Sequence, residues 1–188
     1  YRRDVVEALQ ALHVPVLHMD IAILAYQIVL VAFVPAGTVL AGRIGARNAF
    51  ALALAVFMVG SLVCSASQSL AMLAGARAFQ GIGGAVMMPI GRLIVVRSAD
   101  KSELLNALNW LLLPSIIGPM LGPVLGGQLV TFGSWHWIFL INVPVALIGM
   151  IMTMMVVPDI RDKSDRRVDP RGILLSGAAI LTLMFGLD

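Results

Sequence analysis

Charge is scarce in this sequence. Asp, Glu, Lys and Arg make up 12% of its 188 residues, about half the ~25% usual for soluble domains. Too few polar side chains remain to cover a water-facing surface, and the mean hydropathy is +0.96. A cytosolic enzyme and a disordered tail are thereby excluded. Cysteine is scarcer still, because Cys64 is the only one. That excludes an intrachain disulfide framework and a thiolate metal site, and with them a secreted disulfide scaffold. Its place inside an apolar run suits a small packing residue. Catalytic signatures are also missing. There is no HExxH, no phosphate-binding Gly-Lys loop, no Ser/His/Asp set and no Cys/His cluster. Membrane-embedded catalysis therefore has no visible machinery, and no catalytic residue, metal or cofactor is expected. The first residue is Tyr1, and no signal-peptide pattern follows it.

What remains is 60% apolar and gathered into long runs. The runs exceed the ~10 alternating residues of a barrel strand, so the expectation is an all-α polytopic membrane protein. Five transmembrane helices are expected within residues 16–157, at about 16–41, 49–65, 70–96, 104–130 and 137–157. Residues 1–15 read as an extracytoplasmic segment. Val5, Val6, Leu9 and Leu12 share one helical face there, which is compatible with an interfacial helix. Residues 158–172 carry nine charges and read as a cytoplasmic linker. The apolar run at 173–188 would begin a further span. At ~1.5 Å per residue it reaches ~24 Å, short of the ~30 Å hydrocarbon core, so the chain reads as an internal fragment.

Orientation follows from the cations. Arg43, Arg47, Arg97, Lys101, Arg161, Lys163, Arg166, Arg167 and Arg171 lie in alternate gaps, and the gaps at 66–69 and 131–136 have none. The cationic gaps should be cytoplasmic. That explains the net charge of +3 without a nucleic-acid partner. It also places residues 1–15 outside, which implies either a span upstream or an unusual N-terminus. Trp135 and Trp137 suit the outer interfacial belt.

Three charges fall within the apolar runs: Asp20, Arg77 and Arg92. Arg77 is seven residues into its run, ~10 Å from the outer end by helix rise. An arginine there should face the bundle interior, an acidic partner or a water-filled cavity. It either serves a substrate or proton pathway or bonds backbone carbonyls between helices. Asp20 lies near an outer end, where a snorkelling carboxylate competes with a titrating one. Arg92 lies about one turn from the cytoplasmic end and suits snorkelling. Gly118, Gly122 and Gly126 form a stripe at i, i+4, i+8, with Pro119 and Pro123 on the adjacent stripe and Gly127 at its end. Glycines admit close helix approach and prolines bend a helix, so this run should bend and seal against a neighbour. Gly81, Gly83, Gly84 and Gly91 mark a second closely packed helix. Tyr26, Gln27, Gln80, Met87, Asn109 and Asn142 are candidates to line a substrate cavity, with bonding or packing between helices as the plainer role.

These residues resemble the major facilitator superfamily, in its fourteen-spanner drug:proton antiporter branch (the EmrB/QacA type), over about residues 17–188. Arg77-Ala78-Phe79-Gln80-Gly81-Ile82-Gly83-Gly84-Ala85 resembles motif B, whose arginine is implicated in proton coupling. The run from Gly118 to Gly127 resembles the antiporter motif C. The stretch from Trp135 to Pro144 resembles the branch's sixth-helix signature, and the gap from Leu40 to Arg47 resembles motif A. The resemblance implies a partial fold of that family: helices two to six of the N-terminal half, plus the start of a seventh. It implies Arg77 as a proton-coupling residue, and Gly42, Arg43, Gly45 and Arg47 as a gating loop. Asp20, the intramembrane carboxylate before the last residue, is the proton-coupling candidate of this chain, unless the partner of Arg77 lies in helices outside it. Motif A departs from the pattern, which has glycine at the place of Thr38 and aspartate at that of Gly42.

The expected function is therefore part of a proton-coupled secondary transporter that exports drugs or other amphipathic molecules by alternating access. Its partners would be the lipid bilayer, protons, a small amphipathic substrate and the C-terminal half of the same transporter. Its place would be the inner or plasma membrane. The alternative is a non-transporting remnant or a helical membrane interaction subunit.

Overall fold

A computed structural model of the chain describes residues 16–132, 134–158 and 182. The expectations for residues 1–15, for most of the charged linker and for the last apolar run fall outside them. The described residues form six helices and no strand. These are α1 (Val16–Ile44), α2 (Ala46–Ser65), α3 (Leu70–Ser98), α4 (Leu104–Phe132), the single turn α5 (Trp137–Leu140) and α6 (Asn142–Val156). The stretches Ala46–Ser65, Leu70–Ser98, Leu104–Gly122 and Trp137–Val156 are long and apolar enough to cross a membrane. Within α1 the apolar stretch is Ile21–Gly37.

The first connection is tighter than its composition suggests. A seven-residue gap is expected from Gly42 to Asn48, yet α1 runs to Ile44 and only Gly45 separates it from α2. Arg and Ala are good helix formers, so a basic gap need not be a loop. Gly45 breaks the helix because its φ is 87°, a conformation open to glycine at little cost. Asn48 Nδ2 donates to the Ile44 carbonyl at 3.1 Å, satisfying one of the groups that a helix end leaves unpaired. Arg43 lies in the last turn of α1 and Arg97 in that of α3, where positive charge suits the helix dipole. At the other end of α3, Ser69 Oγ accepts from the Met72 amide at 3.2 Å, an N-cap.

Helix α3 is the centre of the bundle, packed between α1 and α2. Glycines set the spacing. A Cβ on Gly83 would lie 2.7 Å from both the Ala53 carbonyl oxygen and the Phe57 amide nitrogen, and one on Gly60 would lie 2.8 Å from the Gln80 Cα. A Cβ on Gly81 would meet the Tyr26 carbonyl oxygen at 2.8 Å, and one on Gly37 would meet the Pro89 ring at 2.8 Å. Those pairings give the helix directions. Positions 26 and 37 of α1 meet 81 and 89 of α3, so these two run parallel. Positions 60 and 57 of α2 meet 80 and 83, so α2 runs antiparallel to both. The core at the Arg43 and Arg97 end is made of Ala41, Ala46, Ala49, Ala53, Val86 and Ile90. Small side chains dominate because helices in lipid associate by close packing, with lipid tails removing any hydrophobic drive between them. Large apolar side chains point outward, among them Leu52, Leu62, Met152 and Met155.

Helices α5 and α6 lie against α2, and α4 touches the bundle lightly through α3 and α5. Among its described residues α4 buries none. Gly118 and Gly122 face open space, with nothing within 4 Å of an added Cβ. The expected seal along that glycine stripe is therefore not made within the described residues. Gly127 is half-buried. Of Pro119, Pro123 and Gly126 only the helical backbone is described.

Candidate functional site

One polar chain crosses the interface of α2 and α3 inside the apolar bundle. Arg77 Nη1 donates to Gln80 Oε1 at 2.8 Å. These residues are one helical turn apart, so α3 itself places them on one face. Gln80 Nε2 donates across to Ser61 Oγ on α2 at 2.6 Å. The Cys64 thiol, one turn further along α2, lies 4.0 Å from Gln80 Oε1 as a weak second donor. Ser61, Cys64 and Gln80 are each 0% exposed. The Gly60 approach brings the two helix backbones close enough for these short side chains to meet.

Arg77 is half-buried and also lies among rings. Its Cζ is 4.4 Å from the Tyr26 ring centroid on α1 and 5.7 Å from that of Phe139 on α5. Both distances are within cation–π range. A charged arginine within a helix costs about 2.5–3.5 kcal/mol on insertion scales. Here a neutral amide and two π faces offset part of that. Among the described residues no carboxylate pairs with Arg77. The arrangement holds a cation inside the apolar bundle beside a neutral amide and two rings. It can attract a carboxylate, and so make that group's proton easier to lose.

Of the sequence-predicted cavity candidates, Tyr26 and Gln80 come together with Arg77. Gln80 is a buried bridge between helices with both amide ends engaged, so it does not line an open cavity. Gln27 and Asn109 are exposed. Met87 packs beside the alanine core. Asn142 Nδ2 donates to the Ile138 carbonyl at 3.4 Å, joining α5 to α6. The side chain of Asp20 is outside the described part. By register along parallel α1 and α3, position 20 lies on the outer side of the Tyr26 and Gly81 contact. Ser61 and Phe139 were not singled out from sequence, and Cys64 was read as packing only. The available signal was the spacing of Ser61 and Cys64, three residues apart on one helix face.

The motif A residues lie at the other end of the bundle. Gly42 and Arg43 are exposed, Gly45 forms the break, and Arg47 is half-buried. Arg47 Nε is buried with no hydrogen-bond partner among the described residues. Thr38 is outside the described side chains. Arg92 lies ~22 Å from Arg77 by helix rise. It lines a 230 Å³ cleft with Val96, Leu108, Leu111 and Leu112 between α3 and α4. Beyond the Arg77 end, the turn before α5 is ordered by aromatic contacts. Trp135 stacks on His136 at 4.0 Å and meets Phe139 edge-on at 6.1 Å. Ser134 Oγ and His136 Nδ1 are 2.5 Å apart.

Apolar helices packed through glycine, with Arg77 held among them, define a polytopic α-helical membrane protein. The sequence profile of the Major Facilitator Superfamily matches residues 5–186, and the chain belongs to that family. Its curated relatives include proteins named, provisionally, as multidrug resistance protein MdtD. Those of Klebsiella pneumoniae subsp. pneumoniae (43% identical), Escherichia fergusonii (44%) and Escherichia coli O6:H1 (44%) each align over 172 residues. Each alignment covers 92% of this chain and 36% of the relative. The chain thus spans about a third of the length of the curated relatives it matches.

Proposed function

We propose that this chain forms part of a proton-coupled exporter of amphipathic small molecules in the inner or plasma membrane, and that it is not an enzyme. The observation that carries this reading is Arg77, held inside the bundle by a neutral amide and two rings. A carboxylate drawn to that cation would lose its proton, and a change of conformation that separates the two would restore it. Coupling that cycle to a cavity opening alternately on each side moves protons inward as substrate moves out. Asp20 is the carboxylate of this chain proposed for the role. The cavity itself needs helices beyond those described, and the second half of the transporter is the proposed partner of α4. The relatives' name for multidrug resistance, together with the glycine and proline repeat of α4, supports export over uptake.

The test is Arg77→Ala in the complete reading frame that contains this sequence. The expected outcome is loss of pH-gradient-driven dye efflux from cells or vesicles, at least tenfold, with the protein still present in the membrane. Full coupled efflux by Arg77→Ala would remove the role given to this residue.

A further inference from the structure

We propose that Ser61 on α2 is a positioning residue for Arg77, acting through Gln80. The inference rests on the proton-coupling role proposed for Arg77. A carboxamide has an acceptor end and a donor end, exchanged by a half-turn, and a guanidinium has only donors. Only the orientation with Oε1 toward Arg77 lets the 2.8 Å contact be a hydrogen bond. The opposite orientation would set donor against donor. Arg77 sets that orientation, and Ser61 anchors the other end of the amide, its hydroxyl taking the accepting role toward Nε2 at 2.6 Å. Water is no substitute, because both residues are 0% exposed. Cys64 favours the same orientation, since its thiol is a donor facing Oε1 at 4.0 Å. The close approach at Gly60 keeps Ser61 in reach of Gln80.

The consequence concerns where Arg77 points. One guanidinium edge is tied to α2 through Gln80, and its face is held over Tyr26. The remaining N–H groups are then presented in a fixed direction. A carboxylate arriving there meets a cation already in place, which favours the ionised form. Releasing the tie lets the guanidinium wander, weakens that preference and raises the pH at which the carboxylate lets go of its proton.

The measurement is the pH dependence of gradient-driven dye efflux in proteoliposomes of the complete transporter. Ser61→Ala and Gln80→Met are each expected to move the half-maximal pH upward by about one unit, a tenfold change in proton concentration. The double variant should move it no further, because both changes cut one chain of contacts. Ser61→Thr, which keeps the hydroxyl, should restore the original midpoint. A merely structural role would lower the rate at every pH and leave the midpoint unmoved. Gln80→Met guards against poor folding of Ser61→Ala, since the freed Ser61 hydroxyl can bond back to its own helix. Arg77→Ala is run alongside. If it retains coupled efflux, the proton-coupling role falls. If it abolishes efflux while Ser61→Ala and Gln80→Met keep the original midpoint, the positioning role alone is overturned.

Discussion

Single glycines decide how closely this bundle can pack, and the neighbours at each decide what a side chain there would cost. Gly83→Ala would drive a methyl to 2.7 Å from two backbone atoms of α2. Backbone cannot swing aside as a side chain can, so the helices must separate. The expected loss is about 1–3 kcal/mol, read as a lower thermal midpoint of the purified protein in detergent. Gly42→Asp restores the residue that the family pattern implies at that place. Its Cβ meets nothing within 4 Å, so the side chain fits. Relieving a helical glycine gains a few tenths of a kcal/mol, and an acid in the last turn costs ~0.3–1 kcal/mol against the dipole. Stability should therefore stay within about 1 kcal/mol of the original. Any larger change belongs to the balance of conformations, seen as an altered efflux rate at unchanged thermal midpoint. At this scale the sequence was informative about Arg77, because a charge in an apolar run is costly wherever it points. It was silent on Ser61. A serine inside a span costs little, and only the helix register reveals that it meets Gln80.

At the scale of elements, α3 and α4 both carry glycine stripes but use them differently. The α3 stripe is filled by α1 and α2. On α4, Gly118 and Gly122 face open space. Alanine at either should leave the thermal midpoint of the purified 188-residue chain unchanged, or raise its stability by up to ~1 kcal/mol through better helix propensity. In the complete transporter the same substitutions should cost stability or slow efflux, provided another helix closes on that face. Equal, neutral results in both would deny α4 a sealing role. Long apolar runs and short basic gaps made the helices legible, because lipid requires every backbone group to be satisfied within the span. The boundary at Gly45 was not legible to the residue. Composition marks polarity there, but only the φ of 87° marks the turn. Which neighbour fills each stripe was also hidden, since a glycine repeat states that something comes close without naming it.

At the scale of the molecule, the parallel placement of α1 and α3 with α2 antiparallel brings the ends at Arg43 and Arg97 to one side. That shared side is the one the positive-inside rule would assign to the cytoplasm. The polar chain through Arg77 lies toward the opposite side, near the Trp135 to Phe139 turn. Alternating access needs a second body to rock against, so the 188-residue chain reconstituted alone should show no saturable substrate flux. The family and the all-α fold were readable from motifs whose spacing is tied to helix geometry. Substrate class was not, because a cavity is shaped by helices from both halves. The most direct measurement follows lumenal pH in proteoliposomes of the complete transporter while a substrate gradient is imposed. The account predicts proton movement opposite to substrate in the original protein, and none in Arg77→Ala. Substrate flux with no change in lumenal pH, or equal proton movement in the two, would contradict it.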